Sequence, residues 1–260
     1  MRRNKQSKTH RAKSEHARRR KARVSEDGRD GGSGLVRETL IPLLAALAII
    51  VPLRAAVADW NDIPSGSMRP TLLEGDRIFV NKLAYGLRVP LTKVWLTRWE
   101  EPRRGDVVTF ASPADGIRLV KRIVGLPGDR IAMNGNRLTI NGRELVYENL
   151  SAASQDFRPA FHPQARQLRT EYLGDGSHSV TLTPALAGRT DSFPEFTVPD
   201  GRYFFLGDNR DRSHDSRFIG SVELDEIDGR VSYIALSVDP EHDYRPRFER
   251  WFKPLDSNVD

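Results

Sequence analysis

Ser67 is a candidate nucleophile, because it lies in a short segment, residues 63–72, that contains a glycine and two prolines. Pro64 and Pro70 restrict the backbone and bias the residues before them toward extended conformations, so we expect this segment to be open rather than coiled. Gly66 would allow another peptide to approach the backbone closely. A serine in such a segment becomes reactive when a neighbouring group removes its proton. The alternative is a flexible linker rich in serine, glycine and proline.

Histidine is the usual base for such a serine, and one of the six histidines has a suggestive neighbourhood. His214 lies in the polar segment 207–217, among aspartate, arginine and serine residues. A Ser/His/Asp arrangement could be built with it, although an exposed loop histidine is the ordinary interpretation. The others lie in a basic N-terminal region, a polar region of the second half and a charged C-terminal stretch: His10, His16, His162, His178 and His242.

Lys121 is the stronger candidate for the base. It lies in the apolar run 119–124, so in a strand its own face would carry Leu119 and Ile123. Burial disfavours the charged form of a lysine and lowers its pKa. A neutral amine could accept the serine proton, whereas Arg122 cannot be deprotonated in a protein. The alternative is a strand lysine that reaches solvent or pairs with an acid.

The polar segment 207–217 could support this lysine. In ordinary terms, it is an ion-paired surface turn. In functional terms, it offers a hydroxyl group that could orient the Lys121 amine and carboxylates that could pair with Arg122.

The elements that must position these residues are predicted to be β-strands. Two Asn-Gly pairs, at 134–135 and 141–142, predict tight hairpins around residues 137–140. No long segment after residue 58 has sustained helical periodicity, and residues 145–200 are polar, proline-rich and weakly patterned. The sequence therefore predicts an all-β fold. The predicted strands are 77–81, 107–110, 119–124, 179–183, 203–206 and 230–236.

The basic charge of the chain is concentrated in residues 1–37. The chain carries +6 overall, but this region holds 13 Lys+Arg and 4 Asp+Glu, and the rest holds 28 basic and 31 acidic residues. The region has few large apolar side chains, so we expect it to be disordered. It could bind nucleic acid, but beside an apolar run it more simply fixes membrane orientation, and we expect no nucleic-acid partner. The 260 residues include no cysteine, which excludes disulfides and thiolate metal sites.

The apolar run at residues 40–53 is predicted to belong to a transmembrane helix. Its 14 residues are short for a span, which needs about 20. Extension to Ala58 gives 19 residues interrupted by Arg54, whose long side chain could reach the interface. The alternative is a cleaved signal peptide, because residues 56–58 have the A-x-A form, but the preceding basic region is far longer than such a leader carries.

This helix divides the chain into three predicted parts. Residues 1–37 would be a cytoplasmic tail, residues 38–58 the transmembrane helix, and residues 59–260 an extracytoplasmic domain. The basic excess before the helix predicts this orientation. The protein would then lie in the plasma (inner) membrane as a single-pass protein.

Four segments match, in order, the motifs of one known family. They are 64–72 (PSGSMRPTL), 104–108 (RGDVV), 121–129 (KRIVGLPGD) and 207–217 (GDNRDRSHDSR). With these motifs, the chain resembles the bacterial type I signal peptidases, membrane-bound serine proteases that remove signal peptides from exported proteins. The resemblance covers most of residues 38–130 and 200–235. No motif covers the basic tail or the region about 134–200.

The resemblance implies a Ser/Lys dyad in which Ser67 is the nucleophile and Lys121 the general base. Ser65 would supply a side-chain hydroxyl to the oxyanion hole, beside the Ser67 backbone N–H. Ser213 would hydrogen-bond the lysine and orient it. Four further residues would be structural supports, with Asp208 paired to Arg122. Two others would line shallow pockets for small substrate side chains at −1 and −3. The supports are Asp208, Arg122, Asp215 and Arg217, and the pocket residues are Ile63 and Val120.

The resemblance also implies an antiparallel-sheet catalytic domain with a second β-rich region inserted at about 134–200. It implies no metal and no cofactor. Its partners would be preprotein signal peptides and the lipid bilayer, and we expect a monomer. Two alternatives stay open. One is a related Ser/Lys processing peptidase, of the conjugation-pilus type or a self-cleaving repressor, although no helix-turn-helix pattern is evident. The other is a membrane-anchored binding protein with a basic tail.

Overall fold

A computed structural model describes residues 36–89, 92–150, 167–183, 186 and 191–255. The predicted disorder of the basic tail therefore falls almost wholly outside the described residues. A π-helical turn, Val36–Leu40, is followed by helix α1, Ile41–Val57. Within these ranges, no helix combines the length and the apolar character that crossing a membrane requires. The membrane span at 38–58 stays a prediction.

The residues from Arg54 onward form one compact unit built mainly of antiparallel strands, as the sequence predicts. One short helix, α2 (Ser216–Ile219), follows the polar segment 207–215. The strands are β1 (Ala58–Asp62), β2 (Asp76–Asn81), β3 (Gly86–Arg88), β4 (Trp95–Arg98), β5 (Val107–Ala111), β6 (Arg118–Gly125), β7 (Arg130–Asn134), β8 (Arg137–Ile140), β9 (Arg143–Glu144), β10 (Tyr147–Asn149), β11 (Gln167–Leu173), β12 (Gly176–Leu182), β13 (Phe193–Thr197), β14 (Arg202–Leu206), β15 (Val222–Glu223), β16 (Ile227–Asp239), β17 (Arg245–Pro246) and β18 (Lys253–Pro254).

The main sheet has the strand order β1-β2-β16-β5-β6-β14-β15, and β17 and β18 also pair with β16. Strand β6 pairs with β5 from Arg118 to Arg122. On its other side it pairs with β14 only from Arg122 to Gly125. Within the described part of the chain, residues 118–121 of β6 therefore present a free strand edge.

Strand β6 is buried on both faces in its second half, which explains its continuous apolar sequence. Ile123 packs on one face with Phe110 and Phe205, in one apolar cluster. Its neighbour Val124 packs in a second cluster with Leu206. Because successive side chains of a strand point to opposite faces, the two clusters lie on opposite sides of β6.

Three smaller sheets accompany the main one: β13-β7-β8-β9, β10-β11-β12 and β3-β4. Both predicted hairpins are present, with a shift in the first. There Gly135 (φ 54°) and Asn136 (φ 62°) form the turn, and Asn134 belongs to β7. In the second, Asn141 (φ 53°) and Gly142 (φ 77°) both occupy the turn. Positive φ at both central residues is the geometry that a two-residue hairpin favours.

Candidate active site

Ser67 lies in a single 3-10 turn, Gly66–Met68, between β1 and β2. The flanking residues are extended as expected, with Ser65 at φ −134°, ψ 153° and Arg69 at φ −62°, ψ 138°. The expected open backbone is wrong at the centre of the segment. There Met68 is buried in an apolar cluster with Leu72, and the Arg69 N–H donates to the Gly66 carbonyl, so the chain coils to bury the methionine.

Gly66 is crowded by nearby side chains. A Cβ atom at this position would lie 2.7 Å from Oε1 of Glu74 and 3.0 Å from Nε of Arg69. Glu74 and Arg69 form an ion pair at 2.5 Å that lies against the glycine. The predicted role of Gly66 in the approach of a peptide stays a prediction.

Lys121 reaches Ser67 from strand β6. Its Nζ donates to the Ser67 Oγ at 2.7 Å and to the Val120 carbonyl at 2.9 Å. Lys121 is 3% exposed. Burial lowers the pKa of Lys121 to about 8, although the carboxylates of Asp215 and Asp208 oppose the shift. About a tenth of the amine is then neutral at pH 7, and its lone pair can accept the Ser67 proton over a distance that is already that of a hydrogen bond.

The two other serines of the predicted site are placed differently. The Ser65 hydroxyl donates to the Ser67 Oγ at 3.5 Å, at the same groove. Ser213 is buried, and among the described residues its Oγ has no hydrogen-bond partner. The predicted hydrogen bond from Ser213 to Lys121 is therefore not formed here, and the Lys121 amine donates to Ser67 and Val120 instead. A Cβ at Gly207 would lie 2.2 Å from the Ser213 Oγ, so this loop has no room for a larger residue.

Arg122 follows Lys121 in the strand, so its side chain projects to the opposite face. Its Nε and Nη2 donate to the two carboxylate oxygens of Asp208 at 2.9 and 2.8 Å, and its Nη1 donates to the Gly105 carbonyl at 2.8 Å. Both side chains are buried. The pKa of Asp208 is lowered, because the charge and hydrogen bonds of Arg122 outweigh the effect of burial. The ion pair ties the segment 207–217 to the strand that carries Lys121.

Asp215 and Arg217 close the same segment. The Asp215 carboxylate accepts hydrogen bonds from the Gly207 N–H at 3.0 Å and from the Arg217 guanidinium at 2.7 Å. It also caps helix α2 by accepting from the Arg217 backbone N–H. Arg217 donates in turn to the Arg210 carbonyl at 2.5 Å. The two side chains hold both ends of the loop together.

An open groove of about 410 Å³ surrounds Ser67 and Lys121. Leu119 contributes an apolar wall to it. The predicted pocket residues Ile63 and Val120 do not belong to the groove lining. They pack in the apolar cluster beneath the Ser67 turn. Their predicted contact with substrate stays a prediction.

Among the described residues, no histidine hydrogen-bonds to Ser67. His214 lies at the groove, where its ring stacks on Phe218 at a centroid distance of 4.9 Å. The Ser67 hydroxyl is instead engaged by Lys121. His242 pairs with Asp239 on the surface, and His10, His16 and His162 fall outside the described residues.

A buried polar cluster behind the site was not predicted from the sequence. His178 Nε2 lies 3.4 Å from Glu171 Oε1 and 3.7 Å from Asp208 Oδ1. Glu171 also forms a buried ion pair with Arg210, at 2.6 Å. The available signal was faint: in β11, Glu171 occupies the same inward-facing alternation as Leu173. An acid at a core-facing strand position needs a buried partner.

Known proteins match most of the chain. The family model for signal peptidases of peptidase family S26 matches residues 36–236. A signal peptidase I of Pseudomonas aeruginosa is 36% identical over an alignment of 216 positions, which covers 78% of this chain and 74% of that protein. A signal peptidase I of Haemophilus influenzae is 30% identical over an alignment of 266 positions, which covers 84% of this chain and 75% of that protein. A signal peptidase I crystal structure from Enterococcus faecalis, at 30% identity and a TM-score of 0.32, covers 51% of this chain and 98% of that chain.

Proposed function

The chain belongs to the signal peptidases of peptidase family S26, and we propose that Ser67 and Lys121 are the dyad with which it removes signal peptides from exported preproteins. As a member of this family, it is a serine endopeptidase. One observation carries the assignment of the dyad: the Nζ of buried Lys121 lies 2.7 Å from the Oγ of Ser67.

In the proposed reaction, neutral Lys121 takes the Ser67 proton as Oγ attacks the scissile carbonyl. The Ser65 hydroxyl and the Ser67 backbone N–H hydrogen-bond the oxyanion of the tetrahedral intermediate, and loss of one such donor typically costs about 10²–10³ in rate. Protonated Lys121 gives its proton to the leaving amine, which releases the mature protein and leaves the signal peptide as an ester on Ser67. Lys121 then takes a proton from a water molecule as its oxygen attacks the ester carbonyl. When the bond from the acyl carbon to Oγ breaks, Lys121 returns the proton to Ser67 and the signal peptide leaves with a free carboxyl end.

The charges around Lys121 suit both halves of this cycle. Burial keeps a fraction of the amine neutral before the attack, with a pKa of about 8. The ammonium that forms is stabilised by the negative charges of Asp215 and Asp208. Neither carboxylate is close enough to form an ion pair with it in the way that Asp208 pairs with Arg122.

Substrate would bind as an added strand. The free edge of β6 at residues 118–121 ends at Lys121, so a peptide paired along it passes the dyad. Leu119 of this edge lines the groove. The family resemblance implies that Ile63 and Val120, which pack beneath the Ser67 turn and not in the groove lining, would limit the −1 and −3 positions to small side chains.

We further propose that residues 38–58 anchor the protein in the plasma membrane, with residues 1–37 in the cytoplasm and 59–260 outside. The proposal is supported by the apolar sequence of this segment and the basic residues before it. Anchoring would raise the effective concentration of a substrate inserted in the same bilayer, so a monomer would suffice. Protease added to spheroplasts should digest residues after 58 and spare the tail. Digestion of the tail alone would contradict this orientation.

The dyad is tested by incubating the purified full chain in detergent with a preprotein that has an Ala-x-Ala cleavage site. Ser67→Ala and Lys121→Ala should each abolish cleavage while the protein stays folded. Lys93→Ala is the matched lysine control, because Lys93 is exposed and pairs with Glu226 at the surface. His214→Ala should retain cleavage. Cleavage by Lys121→Ala, or its loss in His214→Ala, would overturn the assignment.

A further inference from the structure

Residues 207–213, called here the catalytic loop, hold the backbone of the nucleophile. The Asn209 N–H donates to the Ser67 carbonyl at 3.0 Å, and the Asn209 Nδ2 donates to the Gly66 carbonyl at 2.9 Å. Both hydrogen bonds fix the 3-10 turn from which the Ser67 hydroxyl projects. The position of that hydroxyl relative to Lys121 therefore depends on where the loop lies.

The other side of the catalytic loop lies against strand β12 and the residue that follows it. The Thr181 N–H donates to the Asp208 carbonyl at 2.8 Å, and Thr181 forms a parallel β-bridge with Asn209. The Thr183 N–H donates to Oδ2 of Asp211 at 2.6 Å. The loop is thus held between the nucleophile and the sheet β10-β11-β12.

A buried ion pair strengthens this second contact. Glu171 of β11 is 0% exposed and the Arg210 side chain of the loop is 1% exposed, and they lie 2.6 Å apart. The Tyr147 hydroxyl of β10 donates to the same carboxylate at 2.6 Å. Burying two charges is unfavourable unless their geometry is well held, so such a pair is weak as a source of stability and fits a role in fixing one arrangement.

The same sheet also reaches the strand of the general base. His178 of β12 lies 3.7 Å from Asp208, and Asp208 holds Arg122, the neighbour of Lys121. Both members of the dyad are therefore linked to β11 and β12, Ser67 through Arg210 and Asn209, and Lys121 through Asp208 and Arg122.

We propose that the sheet β10-β11-β12 positions the Ser67–Lys121 dyad, and that Glu171 is its central positioning residue. The proposal rests on the proposed function of the dyad. Glu171 touches no reacting atom and acts through Arg210 on the catalytic loop. A displacement of about 1 Å in a catalytic group can lower a rate on the order of 10²-fold, so a small shift of the loop would be measurable.

The test compares Glu171→Gln with wild type in full-chain preprotein cleavage, at a temperature where each variant is fully folded. We expect kcat to fall about 10- to 100-fold with KM within about threefold, because Glu171 does not line the groove. Glu171→Asp keeps the charge but shortens its reach, and should lose less kcat. If Glu171→Gln does not fold, the kcat of Glu171→Asp tests the positioning role instead.

Asp129→Asn is the matched control. Asp129 is largely buried, pairs with Arg104 at 2.7 Å and also accepts from the Leu126 N–H, without contact to the catalytic loop. The Asp129→Asn variant should have a lower melting temperature than wild type, as Glu171→Gln should, but it should keep the wild-type kcat. A loss of kcat in this control equal to that of Glu171→Gln would overturn the proposal, because any buried ion pair would then have the same effect.

Amide hydrogen exchange gives a readout that does not depend on cleavage. Glu171→Gln should speed exchange of peptides that cover residues 207–213 at least about tenfold, and Asp129→Asn should not. Unchanged exchange or an unchanged kcat in the folded Glu171 variants overturns the positioning role. Absence of preprotein cleavage by wild type would instead overturn the proposed function, and exchange would still decide the role of Glu171 in holding the loop.

Discussion

Lys121 and Arg122 are consecutive residues of one strand with almost the same burial, 3% and 2% exposed. Their hydrogen-bond partners differ in charge. The front of β6 gives Lys121 a hydroxyl and a carbonyl as hydrogen-bond partners. The back gives Arg122 a bidentate carboxylate. Two buried cations can therefore have different roles, because a lysine amine can lose its proton whereas an arginine guanidinium cannot. Lys121, on the front of β6, can exchange a proton with Ser67, and Arg122, on the back, cannot exchange one.

Exchanging the two cations gives the largest expected effect. Lys121→Arg places a guanidinium that cannot deprotonate beside Ser67, so we expect kcat/KM for preprotein cleavage to fall about 10⁴-fold or more. Arg122→Lys should keep cleavage within about tenfold but lower stability, because it loses the bidentate pairing. Substantial cleavage by Lys121→Arg would mean that the front of β6 does not supply the base.

Removing the carboxylate at the back should destabilise the fold. Asp208→Ala leaves Arg122 buried without its partner, and we expect the free energy of unfolding to fall by about 3–5 kcal/mol in urea denaturation. Asp62→Ala is the control, since Asp62 pairs with Arg77 on the surface and should cost less than about 1 kcal/mol. Equal losses in the two variants would remove the distinction between buried and exposed pairs.

The pH dependence of cleavage tests whether Lys121, on the front of β6, is the general base. Because the pKa of Lys121 is about 8, kcat/KM should rise about tenfold per pH unit up to that value and level off above it. The measurement is a pH–rate profile on a substrate without titrating groups at the cleavage site. A midpoint near 6.5 would indicate histidine, and His214 would then become the candidate base.

His178 should make the back of the site sensitive to acid. Burial and the charge of Arg122 lower the pKa of His178 to about 4, against the opposing charges of Asp208 and Glu171, and Arg210 also lowers it. The unfolded state takes up the proton first, so stability is full above about pH 6.5 and falls toward pH 4. Between pH 7 and pH 5 we expect His178 to account for a loss of about 2 kcal/mol.

Urea denaturation at the two pH values measures this loss. His178→Gln should reduce the difference by that amount, and His242→Gln, at the surface, should leave it near the wild-type value. An unchanged difference in His178→Gln would show that another group carries the acid sensitivity.

The main sheet was predictable because its strands have local signals. The predicted strand 119–124 became Arg118–Gly125, and 77–81 became Asp76–Asn81, each preceded or followed by a turn that the sequence marks. Strand β11 was missed in the stretch 145–200. Its inward face includes Glu171 and partly buried polar residues instead of a continuous apolar series, so it has no hydrophobic periodicity to detect.

The sequence suggested Ser67 and Lys121 as candidates, and the structure brings their side chains within hydrogen-bond distance, while their catalytic roles stay a prediction. An apolar run around Lys121 was visible in the sequence, and the burial that lowers its pKa followed from it. The coil at Gly66–Met68 could not be predicted from the sequence, because it results from the burial of Met68 in a cluster formed by distant strands. Glu171 and Arg210 are 39 positions apart and meet only because β11 packs on the loop, a pairing that no local pattern indicates.

The proposed pairing of substrate with the edge of β6 would also limit which proteins can be cut. Main-chain pairing along residues 118–121 requires a partner whose own N–H and C=O groups are uncommitted over several consecutive residues. A segment inside a folded helix or an interior strand cannot meet that requirement without unfolding. By this proposed mode of binding, the mature portions of secreted proteins would be spared from cleavage once folded, even where two alanines stand at the right spacing.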